Sequence, residues 1–321
     1  MSTPITPSLP MITADVHTHY LTDRYVAEAR QAGIVRPDNM PRWPTWTVDN
    51  HRALMDRCRI QRALLSISSP GVHFGDDAKA SALATHVNDA GASFARSDPE
   101  RFGHFAALPL PDLDAALGEA RRCLDDLGSD GVAVLTNHGG RYLGHESFKP
   151  LWNELDRRSA IVFVHPTSPV HAEAVDLGRP HPMIEFIIET TRTVSDLALT
   201  NVFDRFPNIR WIFSHGGGAL PVIADRIEMF RTTVLGDHSQ RRTVTDQLQD
   251  AWFDLAGTPF PHQVPATVAA FGDGHLLYGS DACWTADSGV EHQMATVDAA
   301  DQPPGNTWRD LLNHNAAQLL T

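Results

Sequence analysis

Two histidines stand one residue apart near the start of the chain, in the segment ADVHTHYL. His17 and His19 follow a short apolar run that begins at Met11. Residues i and i+2 of a strand point to the same face, so a strand ending here would direct both imidazoles to one side. Two imidazoles placed in this way can bind one metal ion. Taken alone, the pair is equally consistent with two surface histidines near a strand end.

Three further side chains with metal or acid–base chemistry stand where apolar runs end. His165 ends the run AIVFVH, His215 follows IRWIFS, and Asp281 follows HLLYGS. A set of three histidines and one aspartate suits a divalent ion of intermediate softness, with zinc first and manganese or iron as alternatives. Four strand ends that carry such residues in one chain favour a common site over four unrelated structural positions.

The elements that would position these residues are apolar runs separated by helical patterns. Near-continuous hydrophobic runs are typical of strands that are buried on both faces. Eight of them are predicted as strands, at 11–17, 63–68, 102–108, 131–135, 160–165, 209–214, 251–256 and 275–280. Helices are predicted between them at 112–127, 147–158, 182–205 and 219–235. The alternation predicts an α/β fold of the (β/α)₈ TIM-barrel type, whose active sites lie at the C-terminal ends of the strands.

The competing fold is a doubly wound open sheet, and no GxGxxG follows the first strand to support it. The chain is predicted to hold a single barrel domain over residues 11–321, preceded by a disordered tail at 1–10 that is rich in Pro, Ser and Thr. The Trp- and Pro-rich stretch 36–50 is predicted to be an irregular insertion after the first strand.

The composition restricts the partners. A formal net charge of −13 disfavours nucleic acid, which needs a basic surface. No signal peptide or transmembrane stretch is expected. The three cysteines are widely spaced and suggest a reducing compartment, so a cytoplasmic location is expected.

The order of these motifs resembles a known family. HxH after the first strand, HP after the fifth, SHGGG after the sixth and GSD after the eighth resemble the amidohydrolase superfamily. More narrowly, they resemble its decarboxylase branch, which includes γ-resorcylate and aminocarboxymuconate-semialdehyde decarboxylases, and the segments SISSPGVHFG, GGRYLG and FVHPTSP look closest to 6-methylsalicylate decarboxylases. The resemblance implies a homodimer, a second-sphere acid/base at His215 and metal ligands at His17, His19, His165 and Asp281.

The resemblance also implies the chemistry. Binuclear members carry a carboxylated lysine after the fourth strand, and residues 131–137 contain no lysine, so one divalent ion is expected. The implied reaction is non-oxidative loss of CO₂ from an ortho-hydroxy aromatic acid, with the ring proton supplied by His215 or Asp281.

Substrate contacts are predicted in two loops. Arg42 is the first candidate to hold the substrate carboxylate as a bidentate guanidinium, and Arg141 is the second. Trp43 and Trp46 are expected to stack on the aromatic ring.

Two alternatives use the same ligands. One is a hydrolase of a lactone or amide that uses metal-bound water, or a hydratase of the same fold. The other is a metal-binding barrel without turnover, acting as a scaffold or sensor. A second-sphere base at His215 argues against the latter, because binding alone does not need one.

Overall fold

The strands form one parallel, eight-stranded barrel. The computed structural model describes residues 9–321, so the tail predicted at 1–10 lies outside the described residues except for its last two. The strands follow one another in chain order and each pairs with the next. They are β1 (Ile12–His19), β2 (Ile60–Ser66), β3 (Phe102–Ala107), β4 (Gly131–Leu135), β5 (Ile161–His165), β6 (Arg210–Phe213), β7 (Trp252–Asp254) and β8 (Leu276–Leu277).

The last strand returns to the first and closes the ring. The Val16 N–H donates to the Tyr278 carbonyl at 3.0 Å, and the Asp281 N–H donates to the His17 carbonyl at 2.8 Å. All neighbouring strands of the barrel are parallel. The predicted (β/α)₈ barrel is therefore confirmed.

Helices follow the strands around the outside. They are α1 (Asp23–Gln31), α2 (Val48–Cys58), α3 (Asp77–Ser97), α4 (Leu113–Arg121), α5 (Lys149–Arg157), α6 (Glu185–Leu199), α7 (Val202–Arg205), α8 (Leu220–Met229), α9 (Val244–Leu248), α10 (Val264–Phe271), α11 (Asp287–Ala299) and α12 (Trp308–Leu319). Asp112 caps α4, because its carboxylate accepts from the Ala115 N–H. The helix predicted at 182–205 is two helices, broken at Asn201 with a φ of 60°.

The barrel interior is filled by apolar side chains below the mouth. On β1, Ala14 and Val16 belong to this interior cluster, together with Phe105 of β3 and Phe163 of β5. The pairing of β1 with β2 shifts register between Asp15 and Thr18. Within this interval the imidazole of His17 lies against the Phe163 ring, with 5.0 Å between ring centroids. The apolar interior thus packs against the inner side of the His17 imidazole.

The insertion after β1 is largely irregular, as predicted. It contains one short 3₁₀ turn at Pro37–Asn39 and ends where α2 begins at Val48. Asp38 and Met40 of this segment border the cavity at the mouth of the barrel. The insertion therefore forms part of the roof over the strand ends. Within the described part of the chain, no helix is long and apolar enough to cross a membrane.

Candidate metal centre

Four side chains from three strand ends converge at the barrel mouth. One ligand atom from each of them lies within 4.8 Å of the others, and the four residues are His17, His19, His165 and Asp281. Oδ1 of Asp281 is 3.4 Å from Nε2 of His17 and 3.2 Å from Nε2 of His19. The structure therefore brings together the four residues that the resemblance implied as ligands.

Each of the three histidines is fixed through Nδ1, which leaves Nε2 facing the centre. The Nδ1 contacts are His17 to Asp254 Oδ2 at 3.0 Å, His19 to Ser66 Oγ at 3.0 Å, and His165 to the Pro166 carbonyl at 2.7 Å. Nε2 of His17 and of His19 is buried and makes no hydrogen bond within residues 9–321. A buried nitrogen without a partner is costly. Three preoriented imidazoles and a carboxylate fit a divalent metal ion, which would satisfy these atoms.

Asp254, the residue that orients His17, was not among the predicted site residues. Asp254 ends β7 and is fully buried. Its Oδ2 contacts His17, while its Oδ1 accepts from the backbone N–H groups of His215 and Ala256 at 3.1 and 3.0 Å. The signal was an aspartate inside the apolar run AWFDLA, where a buried charge needs a partner.

The electrostatics of the centre favour a cation. Burial lowers the pKa of His17, but the carboxylates of Asp254 and Asp281 outweigh this effect and raise it to about 10. Burial and the neighbouring imidazoles hold the pKa of His165 well below its usual range. Burial also lowers the pKa of His19. The two carboxylates that would hold a proton on His17 favour a divalent ion in its place.

His215 lies beside the ligands but is not one of the four. Its Nε2 is 4.0 Å from Oδ2 of Asp281, and its ring centroid is 5.0 Å from that of His17. The following glycines turn the chain sharply: Gly217 has a φ of 76°, and a Cβ there would lie 2.8 Å from the Phe253 ring. The SHGGG turn thus holds an imidazole next to the centre, where it can exchange protons with a bound molecule.

A cavity of about 370 Å³ opens beside the centre. Its walls include Met40, Met183, Phe186, Ile187, Trp284, Asp38, Ser68, Ser69, Thr258, Gln263, His165, His215 and Asp281. One side is apolar and the other carries hydroxyl, amide and acid groups. Within residues 9–321, neither lysine nor arginine lines it. The cavity can hold a flat apolar ring, but no cationic side chain of the described chain faces it.

The predicted substrate arginines lie outside this cavity. Arg42 is exposed and borders an adjoining cavity together with Cys283. Arg141 is exposed on a short antiparallel hairpin, where it pairs with His138. Neither arginine therefore lines the cavity beside the metal ligands in this structure.

The two predicted tryptophans also lie elsewhere. Trp43 is buried and donates to the Ile34 carbonyl at 3.0 Å. Trp46 donates to Nδ1 of His51 at 3.2 Å and packs against Phe94. Both indoles thus stabilise the insertion on the barrel. The tryptophan that does line the cavity is Trp284, which donates to Ser68 Oγ at 2.6 Å.

The fold and this centre define a metal-dependent barrel of known type. The amidohydrolase family matches residues 14–321, so the chain belongs to that family. It is similar to the 6-methylsalicylic acid decarboxylase of Penicillium expansum, with 33% identity over 84% of this chain and 85% of that protein. It is also similar to the γ-resorcylate decarboxylase of Rhodococcus jostii, with 33% identity over 77% of this chain and 79% of that protein.

Solved structures show the same fold. A crystal structure described as amidohydrolase II has a TM-score of 0.89 and 33% identity, covering 96% of this chain and 99% of that chain. A dihydroxybenzoic acid decarboxylase from Polaromonas with bound manganese and 2-nitroresorcinol has a TM-score of 0.82 at 20% identity, covering 97% of both chains.

Proposed function

We propose that this protein is a metal-dependent carboxy-lyase that releases CO₂ from an ortho-hydroxy aromatic acid of the salicylate type. The observation that carries the proposal is the similarity to 6-methylsalicylic acid decarboxylase over 84% of the chain. The cavity supports it, because an apolar wall faces the acid–base and ligand residues across a space of about 370 Å³. Neither a nicotinamide nor a flavin is required, since the protonated phenol ring serves as its own electron sink.

We propose that the protein binds one divalent metal ion, with zinc as the preferred ion and manganese as the alternative. His17, His19, His165 and Asp281 would hold it. When bound, it polarises the phenol oxygen and orients the carboxylate of the substrate. The manganese in the Polaromonas decarboxylase structure supports a divalent ion of this group.

The protein's own side chains supply the proton chemistry. His215 or Asp281 places a proton on the ring carbon that bears the carboxylate, since their reactive atoms lie 4.0 Å apart beside the cavity. The C–C bond then breaks, its electron pair restores the aromatic ring, and CO₂ leaves. Phe186 and Ile187 of α6 would cover the ring and keep water from the reacting carbon.

The assignment of the substrate carboxylate to Arg42 or Arg141 stays a prediction. It requires one of the two loops to approach the cavity when the substrate binds. Otherwise the metal alone would hold the carboxylate. A homodimer and a cytoplasmic location also stay predictions. Large apolar side chains on α6 and α8, such as Ile188, Val222 and Met229, are exposed and support an interface on that side.

The test is product analysis in D₂O without oxygen. Metal-loaded protein is incubated with 6-methylsalicylate, γ-resorcylate and 5-carboxyvanillate, and the product is read by NMR. We expect one deuterium at the carbon that lost the carboxylate, and no turnover in a His165→Ala control. Hydrolysis of lactones or amides without any CO₂ release would replace this proposal with the hydrolase alternative.

A further inference from the structure

Four side chains outside the metal centre form a continuous hydrogen-bonded chain. In order they are Asp176, His181, Ser168 and Asp38. Nε2 of His181 is 3.2 Å from Oδ2 of Asp176, and Nδ1 of His181 is 2.5 Å from Oγ of Ser168. The Ser168 hydroxyl also hydrogen-bonds to Oδ1 of Asp38. We refer to these four residues as the Asp176–Asp38 chain.

The two ends of this chain have different surroundings. Asp38 lines the cavity that also holds His215 and Asp281. At the other end, the Asp176 side chain is 13% exposed and is followed by Leu177, which is 77% exposed. The chain therefore connects the solvent-facing side of the loop after β5 with the interior of the cavity.

Each link can carry a proton in either direction. With a proton on Asp38, the carboxyl donates to Ser168, the Ser168 hydroxyl donates to Nδ1 of His181, and Nε2–H of His181 donates to Asp176. Reversing the Ser168 hydroxyl and the His181 tautomer moves one proton along the whole chain. Every donor has an acceptor in both arrangements, so neither leaves a buried group unsatisfied.

The burial of Asp38 favours a protonated carboxyl. Burial raises the pKa of Asp38 above its usual value, although Ser168, Ser69 and the charge of His181 oppose this effect. The buried phenol of Tyr25 also interacts with Asp38, whose charge adds to the effect of burial in raising the pKa of Tyr25. A carboxyl whose pKa is raised holds a proton more readily than a free aspartate does, and it can pass that proton into the cavity.

The reaction proposed above needs a supply of protons from solvent. Each turnover converts an aromatic carboxylate and one proton into the arene and CO₂, so one proton from solvent is consumed. A bound ring that fills the cavity obstructs direct access of water to the residue that gave up its proton. This argument rests on the proposed function.

We propose that the Asp176–Asp38 chain is the proton supply of the active site. A proton enters at Asp176 and His181, passes through Ser168 to Asp38, and crosses the cavity through one water molecule or the substrate hydroxyl. It then restores the proton on His215 or Asp281. Asp38 is the cavity end of the path, while Ser168 and His181 act through it as positioning residues.

The decisive pair of variants is Ser168→Ala and Ser168→Thr. Alanine breaks the chain, whereas threonine keeps a hydroxyl at Oγ. We expect Ser168→Ala to lower kcat on the order of 100-fold at alkaline pH, near the lower end of general acid–base contributions, with little change in KM. The loss should shrink as the pH falls, because free protons then reach the cavity more often. Ser168→Thr should retain most of the activity.

A second variant removes the imidazole of the chain. His181→Ala should lose kcat and regain part of it when imidazole is added to the assay. His171→Ala is the matched control, because this histidine lies in the same loop, is 85% exposed and does not belong to the chain. It should behave as the wild type with or without added imidazole.

The outcomes separate the two proposals. If the wild type releases CO₂ and Ser168→Ala does so at the same rate, the proton path is overturned and the proposed function stands. Equal losses in Ser168→Ala and Ser168→Thr, or a loss in His181→Ala that imidazole does not reduce, mean that the chain only fastens the insertion to the loop after β5. That result also overturns the proton path. Wild-type protein that releases no CO₂ from any of the three acids removes the proton demand and overturns both proposals.

Discussion

Replacing Asp254 by asparagine should weaken metal binding without removing a ligand. Oδ1 of Asp254 accepts from two backbone N–H groups, and Oδ2 faces Nδ1 of His17. Asparagine has only one acceptor oxygen. Keeping both backbone bonds places its NH₂ against His17. Nδ1 of His17 must then accept, so the imidazole proton moves to Nε2, the atom that faces the metal position.

The magnitude follows from the number of ligands affected. One imidazole of three loses its orienting carboxylate, and the loss of such a partner typically weakens metal affinity about 10- to 100-fold. This corresponds to about 1.4–2.7 kcal/mol. Turnover at saturating metal should fall less than metal affinity, because the ligand set is complete once the ion is bound.

The assay is a competition titration of the metal-free protein with Zn²⁺ against a chelator, followed by activity at saturating zinc. Asp196→Asn is the control, because this partly buried carboxylate accepts from the Gly144 N–H on the outside of the barrel. The control should bind zinc as the wild type does. If Asp254→Asn matches the wild type in zinc affinity, the orienting role of Asp254 is refuted.

Other perturbations test the remaining parts of the site. His17→Ala should lose both metal and activity, and elemental analysis of the wild type should give about one ion per chain; two ions per chain would contradict the four-ligand site. His215→Asn should keep the metal and lower kcat on the order of 100-fold or more, since asparagine cannot transfer a proton; a wild-type rate would leave His215 a structural role only. Arg42→Ala should raise KM for a carboxylated substrate, with partial rescue by Arg42→Lys; unchanged kinetics would move the role to Arg141 or to a neighbouring subunit. Burial lowers the pKa of His104 from 6.5 to about 3, so its contribution to stability is present above pH 6.5 and is lost as the pH falls toward 3. His104→Gln should therefore flatten the decline in free energy of unfolding across that interval, measured by denaturant titration at several pH values, and an unchanged slope would argue against a neutral buried imidazole.

The strands and their terminal residues could be predicted because both signals are local. An apolar run predicts a buried parallel strand, and the residue that ends it, such as His165 or Asp281, must then lie at the barrel mouth. All eight runs are strands, with bounds that differ by a few residues. The geometry of a closed barrel predicts that these strand ends converge, while the choice of His17, His19, His165 and Asp281 as ligands came from the resemblance to the family.

The partners of those residues could not be predicted in the same way. Asp254 contacts His17 across 237 positions of sequence, and nothing in the local pattern of either segment specifies that pairing. The position of the tryptophans in the insertion could not be predicted either. These tryptophans resemble a binding surface in composition, but Trp43 and Trp46 pack into the barrel because apolar burial there outweighs exposure at the mouth.

The contacts that close the barrel join its first strand to the segment after its last strand, so the metal site is completed late in synthesis. His17 lies on the first strand and Asp281 follows the last, and Thr18 bonds to the Ala282 carbonyl across 264 positions. During synthesis, His17 and His19 leave the ribosome long before the carboxylate that completes their site. The full ligand set exists only when nearly the whole chain has been released and the ring has closed. Metal acquisition is thereby a late event in biogenesis, and a truncated chain that ends before β8 has no complete centre in which to retain an ion.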